Sequence, residues 1–189
     1  YRLRSNREVR QETVMTEEQP EKKSLHQGRF LAMFERGGWE YVDRVGASGV
    51  VVILALTDED ELVLVEQHRV PVDASVIELP AGLAGDLPDS QDEDFREAAR
   101  RELLEETGYE AESIEFLCEG PPSAGLTSEI QTLLRATGLR KTGPGGGDES
   151  EDITVHTIAL DVLHEWLGEA VQRGCLIDPK IYAGLYFLR

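Results

Sequence analysis

Apolar and polar positions along this chain fall into recognisable periods. Residues 30–34 (Phe-Leu-Ala-Met-Phe) and 39–42 (Trp-Glu-Tyr-Val) flank Gly37-Gly38, which predicts two short strands around a glycine turn. Residues 49–56 form an unbroken run of Val, Ile, Leu and Ala after a glycine. Thr57-Asp58-Glu59-Asp60 then leads into Leu62-Val63-Leu64-Val65, and the pair predicts a buried hairpin. Residues 75–79 predict a further strand, and residues 92–107 carry a helical period. Residues 114–117 and 130–134 are expected to be extended. A Gly-rich acidic loop over 141–152 precedes a strand at 153–159, and two helices, 161–173 and 179–188, close the chain. Residues 1–27 have no sustained apolar period and are expected to form a mobile polar arm or a helix that needs a partner, with 28–47 expected as a strand segment and 48–189 as the main domain. Hairpins interspersed with helices predict an α/β sandwich around a mixed sheet, not a doubly wound parallel one.

The helix at 92–107 carries its charge in an unusual place. At 100° per residue, Phe95, Ala98 and Ala99 fall within about 60° of Glu102, and so do Glu105 and Glu106. The apolar stripe therefore runs into three carboxylates on the side that packs. Inward carboxylates repel each other and lose hydration, so either their pKa values rise or a cation neutralises them. Oxygens at i, i+3 and i+4 suit Mg²⁺ or Mn²⁺. The run also reads as a solvated helix laced with i,i+4 pairs, with Arg101 bonded back to Glu93 or Glu97.

Charge sharpens the question. The chain has 189 residues, with 19 Lys+Arg against 37 Asp+Glu, a formal net charge of −18. Such a chain is a poor ligand for nucleic acid or an anionic membrane. At 40% hydrophobic residues it still has the material for a core. Cys118 and Cys175 are too few and too far apart for a disulfide framework or a zinc site. No run approaches the roughly 18 apolar residues of a membrane span. Tyr1 is followed by no apolar leader, and the expected setting is soluble and cytoplasmic. If an anion is the substrate, a divalent metal has to attract it.

Residues 101–109, Arg-Glu-Leu-Leu-Glu-Glu-Thr-Gly-Tyr, resemble the core of the Nudix box, G-x5-E-x7-R-E-U-x-E-E-x-G-U, with U a bulky apolar residue. Glu93 stands at the first glutamate of the box, with seven residues between it and Arg101, and Glu78-Leu79-Pro80-Ala81-Gly82 matches the strand and glycine before it. One departure is that ten residues, not five, separate Gly82 from Glu93, so the loop at 85–91 holds a five-residue insertion. The insertion is expected to lengthen the turn and leave the helical ligands untouched.

The resemblance spans about residues 28–189. It implies a Nudix-type α/β/α sandwich with an N-terminal antiparallel strand pair, and metal-dependent hydrolysis of a nucleoside diphosphate linked to another moiety. It further implies Glu102 and Glu106 as principal metal ligands, with Glu105 holding a further ion and counted among the catalytic residues. The carbonyl of Ala81 would add an oxygen, and Mg²⁺ is the expected metal, Mn²⁺ the alternative.

Three features look like the ADP-ribose pyrophosphatase branch. The strand segment at 30–42 would build a homodimer. Glu66-Gln67-His68-Arg69 would offer Arg69 to a substrate phosphate. The loop and strand at 148–156 would supply a carboxylate that activates water, Glu149 in preference to Glu151, with Gly145-Gly146-Gly147 giving the loop freedom to move. Arg44, Trp39 and Glu78 are further substrate-binding candidates. Ala124 stands where the branch carries a proline. The partner implied is a small nucleotide sugar, ADP-ribose first, with GDP-mannose or another ADP-sugar as the alternative. A nucleotide-binding regulator without turnover is the reading from another class.

Overall fold

A computed structural model describes residues 19–87, 92–147 and 152–188. The N-terminal strands are β1 (Lys23–Gln27), β2 (Leu31–Arg36) and β3 (Trp39–Arg44), an antiparallel sheet in that order. The expected pair around Gly37-Gly38 is β2–β3. A third strand, β1, comes from the stretch expected to be an unpatterned arm, where all five residues are exposed.

The body is two four-stranded sheets. One runs β7 (Ala81–Ala84), β4 (Gly49–Ala55), β9 (Gln131–Lys141), β8 (Tyr109–Gly120). The other runs β10 (Thr154–Ala159), β5 (Glu61–Arg69), β6 (Ala74–Glu78), β11 (Leu176–Ile177). Both are mixed, with β4 parallel to β9 and β11 parallel to β6.

The run at 49–56 is apolar throughout because both its faces are covered. Val50, Val52 and Leu54 enter a core closed by α2 (Leu163–Gln172) and α3 (Pro179–Tyr186), through Leu163, Leu167 and Ile181. Val51, Ile53 and Ala55 enter a second core closed by α1 (Phe95–Thr107), through Ala98, Ala99 and Leu103. Helices thus lie on both sides of the sheets, the α/β/α arrangement expected.

The hairpin expected at 49–65 is not one. β4 and β5 lie in different sheets, joined by a turn and a single bridge between Leu56 and Leu62. The Thr57 N–H donates to the Glu61 carbonyl at 2.9 Å, and Asp60 takes a left-handed φ of 58°. An all-apolar run marks burial but leaves the strand's partner open. The long antiparallel ladder is instead β8–β9, which extends well beyond 114–117 and 130–134.

Candidate active site

The helix α1 begins at Phe95, with the Asp94 carboxylate capping it by accepting the Arg96 N–H at 2.8 Å. At the other end, the last carbonyls of a helix need partners from outside it, and here they have them. Gly108, at φ 72°, donates its N–H to Leu104 at 2.8 Å; the Gly147 N–H reaches Glu105 at 3.1 Å and the Gly146 N–H reaches Glu106 at 2.8 Å. Lys141 Nζ donates to the Thr107 carbonyl at 2.9 Å. A Cβ at Gly145 would strike the Thr107 backbone, so the glycine at 145 permits a close approach. The three glycines expected to give a loop its freedom instead hold residues 145–147 against the helix.

This clamped end carries the carboxylates. Glu106 is buried at 3% exposure, and its Oε2 accepts the Ala81 N–H at 3.0 Å. Glu102 lies against Gly82, where any Cβ would overlap its carboxylate. Glu105 points outward, its side chain 54% exposed. Arg101 gathers the charges. Its Nη1 contacts Glu102 at 2.7 Å and Glu105 at 3.4 Å, while Nη2 donates to the Leu83 carbonyl at 2.8 Å and reaches Glu93 at 3.3 Å. The sequence left Glu93 and Glu97 open as partners of Arg101; the structure takes Glu93, and Glu97 pairs with Arg100.

Burial pushes the Glu102 pKa up to about 7, and Glu105 and Asp86 add to the rise, against the downward pull of Arg101. For Glu93, the upward push of burial is outweighed by the Arg101 hydrogen bond and the Gly85 N–H, and the pKa falls. Burial works to lower the Arg101 pKa, yet Glu93 and Glu102 raise it well above the usual range.

Facing these groups is a cleft of about 650 Å³. Of the residues expected at a site, Arg44, Arg69, Glu78, Ala81, Glu102 and Glu105 line it. Arg69 Nε donates to Glu78 at 2.6 Å. Arg44 donates to Glu129, whose other oxygen accepts from Gln131 at 3.0 Å. Glu106 sits behind the wall, bonded to Ala81. Trp39 stands apart, 63% exposed, its indole N–H donating to the Gly125 carbonyl at 3.2 Å. Glu149 and Glu151 lie outside the described residues.

The cleft also contains residues that sequence reasoning passed over. Lys180 lines it from the first turn of α3, its ammonium held by Asp178, the residue that caps the same helix. The signature Asp178-Pro179 marks a helix start, but nothing local says that Lys180 faces the cleft. Asp86 and Leu87, in the inserted turn, line it as well.

Among the described residues, no three His, Cys, Asp or Glu side chains converge as a metal cluster. Arg101 Nη1 occupies the space between Glu102 and Glu105. The donor set nevertheless fits a hard divalent ion: Glu102 and Glu105 offer carboxylate oxygens to the cleft, and burial disfavours the negative charge of Glu102. No described helix is long and apolar enough to cross a membrane.

Comparison with known proteins adds four findings. The family model of the NUDIX domain matches residues 47–173, about two thirds of the chain. A methanol dehydrogenase activator from Bacillus methanolicus is 39% identical over 122 residues, 64% of this chain and 63% of that protein. An ADP-ribose pyrophosphatase from Bacillus subtilis is 37% identical over 114 residues, 60% of this chain and 59% of that one. The chain thus spans about three fifths of the length of these curated relatives. A solved ADP compounds hydrolase superposes with a TM-score of 0.62 over 82% of this chain and 86% of its own, at 21% identity, a likeness of fold.

Proposed function

The chain belongs to the Nudix family, and on that premise we propose that it hydrolyses the pyrophosphate bond of a nucleoside diphosphate linked to a sugar, with ADP-ribose, cleaved to AMP and ribose 5-phosphate, as the first candidate. The observation that carries this reading is the cleft itself. It opposes the carboxylates of Glu102 and Glu105 to the cations of Arg44, Arg69 and Lys180 within a chain of net charge −18. Phosphates are attracted there by local cations and by a bound metal, against the bulk field.

Glu102, Glu105 and Glu106 would hold the divalent ion, Mg²⁺ or Mn²⁺, with the Ala81 carbonyl as a further oxygen. When bound, the ion lowers the pKa of water and offsets charge on the phosphates. The remaining work belongs to the chain. Arg69, oriented by Glu78, takes a phosphate oxygen, and Arg44 meets the nucleotide. Glu149, with Glu151 as the alternative, removes the proton from the attacking water, which is worth about 10²–10⁴-fold. Support for a base on that loop comes from its stem, since Gly147 binds the Glu105 carbonyl two residues before Glu149.

We assign the N-terminal sheet to a homodimer contact. Leu31, Met33 and Val42 share one of its faces and Phe34, Tyr41 and Trp39 the other. A second copy would cover apolar groups on either side, and would bring Trp39 near a nucleotide base.

The test is a panel of nucleotide sugars (ADP-ribose, other ADP-sugars, GDP-mannose) with Mg²⁺, scored by the products released. ADP-ribose turned over fastest, to AMP and ribose 5-phosphate, is the expected result. Preference for another sugar moves the substrate and keeps the chemistry. The name of the Bacillus methanolicus relative favours a second reading, action on a dehydrogenase as an activator. Saturable nucleotide binding with no hydrolysis of any member of the panel would select a regulator of that kind.

A further inference from the structure

The turn between Gly82 and α1 is longer than the Nudix box prescribes, an insertion expected to leave the helical ligands untouched. Asp86 gives it a function. Its Oδ1 lies 3.4 Å from Arg101 Nη2, inside the cleft that holds Glu102 and Glu105. The Arg101 fork is divided. Nη1 faces Glu102 at 2.7 Å and Glu105 at 3.4 Å, the carboxylates assigned to the metal. Nη2 faces groups outside that assignment: the Leu83 carbonyl at 2.8 Å, Glu93 at 3.3 Å and Asp86 at 3.4 Å.

A guanidinium keeps its charge and its five donors at any ordinary pH. A divalent ion entering the cleft therefore competes with Nη1 for the carboxylates of Glu102 and Glu105. Partners at Nη2 keep the guanidinium paired once Nη1 has yielded its carboxylates, which lowers the cost of that exchange. Leu83 and Glu93 do so from the strand and the box. Asp86 is the partner the insertion adds, and its carboxylate also brings one more negative charge to the cleft.

The geometry points to Asp86 as a positioning residue for metal binding, one that anchors the Arg101 fork on its Nη2 side and so releases Glu102 and Glu105 to a divalent cation. This rests on the metal-dependent reading of the cleft. Groups that orient metal ligands without touching the ion typically change affinity about 10–100-fold when removed. The effect expected of Asp86 is at the lower end, because among the described residues it is one of three partners of Nη2.

The experiment measures Mn²⁺ affinity of the full chain by the electron paramagnetic resonance of free Mn²⁺, together with the thermal midpoint of the metal-free protein. Glu106→Gln is the reference that loses the metal. Asp86→Asn should bind Mn²⁺ about tenfold more weakly, with its metal-free midpoint unchanged. Asp86→Glu, which keeps the charge and the reach, should restore affinity. An Asp86→Asn chain that binds Mn²⁺ as tightly as wild type, while Glu106→Gln has lost it, overturns the assignment. So does a lowered metal-free midpoint with unchanged affinity, which would make Asp86 part of the scaffold alone. Wild type and Glu106→Gln binding Mn²⁺ alike would instead overturn the metal reading, and the role of Asp86 with it.

Discussion

The carboxylate end of α1 and the N-terminal sheet solve the problem of exposed groups in opposite ways. At the helix end the chain completes itself: the carbonyls of residues 104–107 each find a donor, and Arg101 ties Glu93, Glu102 and Glu105 together. The N-terminal sheet carries apolar side chains on both faces, and it is fastened to the body by backbone and side-chain bonds alike, the Arg44–Glu129 pair among them. Val42 and Leu126 bond at 2.9 Å, Ser128 and Val42 at 3.2 Å, and Trp39 bonds to the Gly125 carbonyl. A region satisfied internally can preorganise charge for chemistry. A region left apolar and exposed is built for something outside the chain.

The strongest break of this contrast is Glu106→Gln. The amide oxygen still accepts the Ala81 N–H, so the fold should survive while the charge is gone. Turnover should fall by about 10²–10³-fold or more, the range seen when one group stabilising the transition state is removed. Mg²⁺ at about 100 times its Kd should stabilise wild type by about 2.7 kcal/mol and leave the variant unmoved. Near-normal turnover, or equal stabilisation by Mg²⁺, would remove Glu106 from the metal site.

Arg69→Ala should come next. Losing one charged hydrogen bond costs about 1.5–3 kcal/mol, roughly 10–100-fold in kcat/KM. Because Glu78 is left without its partner, Arg69→Ala with Glu78→Gln separates the two effects. If the double variant recovers full kcat/KM, Arg69 touches no substrate.

The contrast also explains what the sequence disclosed. The carboxylate stripe and the helical part of its box lie within seventeen residues, 93–109, so periodicity and spacing suffice to read them. The far wall of the cleft is another matter. Lys180 and Gln131 reach it through the packing of α3 and β9, and no local pattern announces a tertiary neighbour. The all-apolar run at 49–56 was read correctly as buried strand and wrongly as a hairpin arm, since period-2 evidence is absent when both faces are covered. β1 escaped notice because its five exposed residues carry no burial pattern. The inserted turn was legible as an insertion, but the contact of Asp86 with Arg101 is a tertiary one that spacing does not announce.

A smaller effect is expected at the stem of the loop. Gly145→Ala puts a methyl group against Thr107 at a φ of 69°, and should cost about 1–3 kcal/mol. For a chain of this size that lowers the thermal midpoint by about 2–4 °C per kcal/mol. Gly38→Ala meets no neighbour within 4 Å, so at its own positive φ it reports the backbone cost alone. Equal losses at 145 and 38 would mean that the loop stem does not pack against the helix in solution.

The smallest effect on the folded chain belongs to the sheet face. Leu31 is 49% exposed, so Leu31→Glu should change thermal stability of the monomer by no more than about 0.5 kcal/mol, as surface substitutions do. In a homodimer joined through this sheet the same change buries a carboxylate against apolar groups, which is costly without a partner. Leu31 shares its face with Met33 and Val42, whereas Phe34, Tyr41 and Trp39 lie on the other. Phe34→Glu probes the second face, and also removes a half-buried ring that packs on Tyr41 and under Lys22. Sedimentation equilibrium on wild type, Leu31→Glu and Phe34→Glu decides the matter. A dimer lost in only one variant identifies the contact face, and loss in both means that each face is covered. A wild-type monomer, or a dimer indifferent to both charges, removes the sheet from the interface and leaves its apolar faces to another partner.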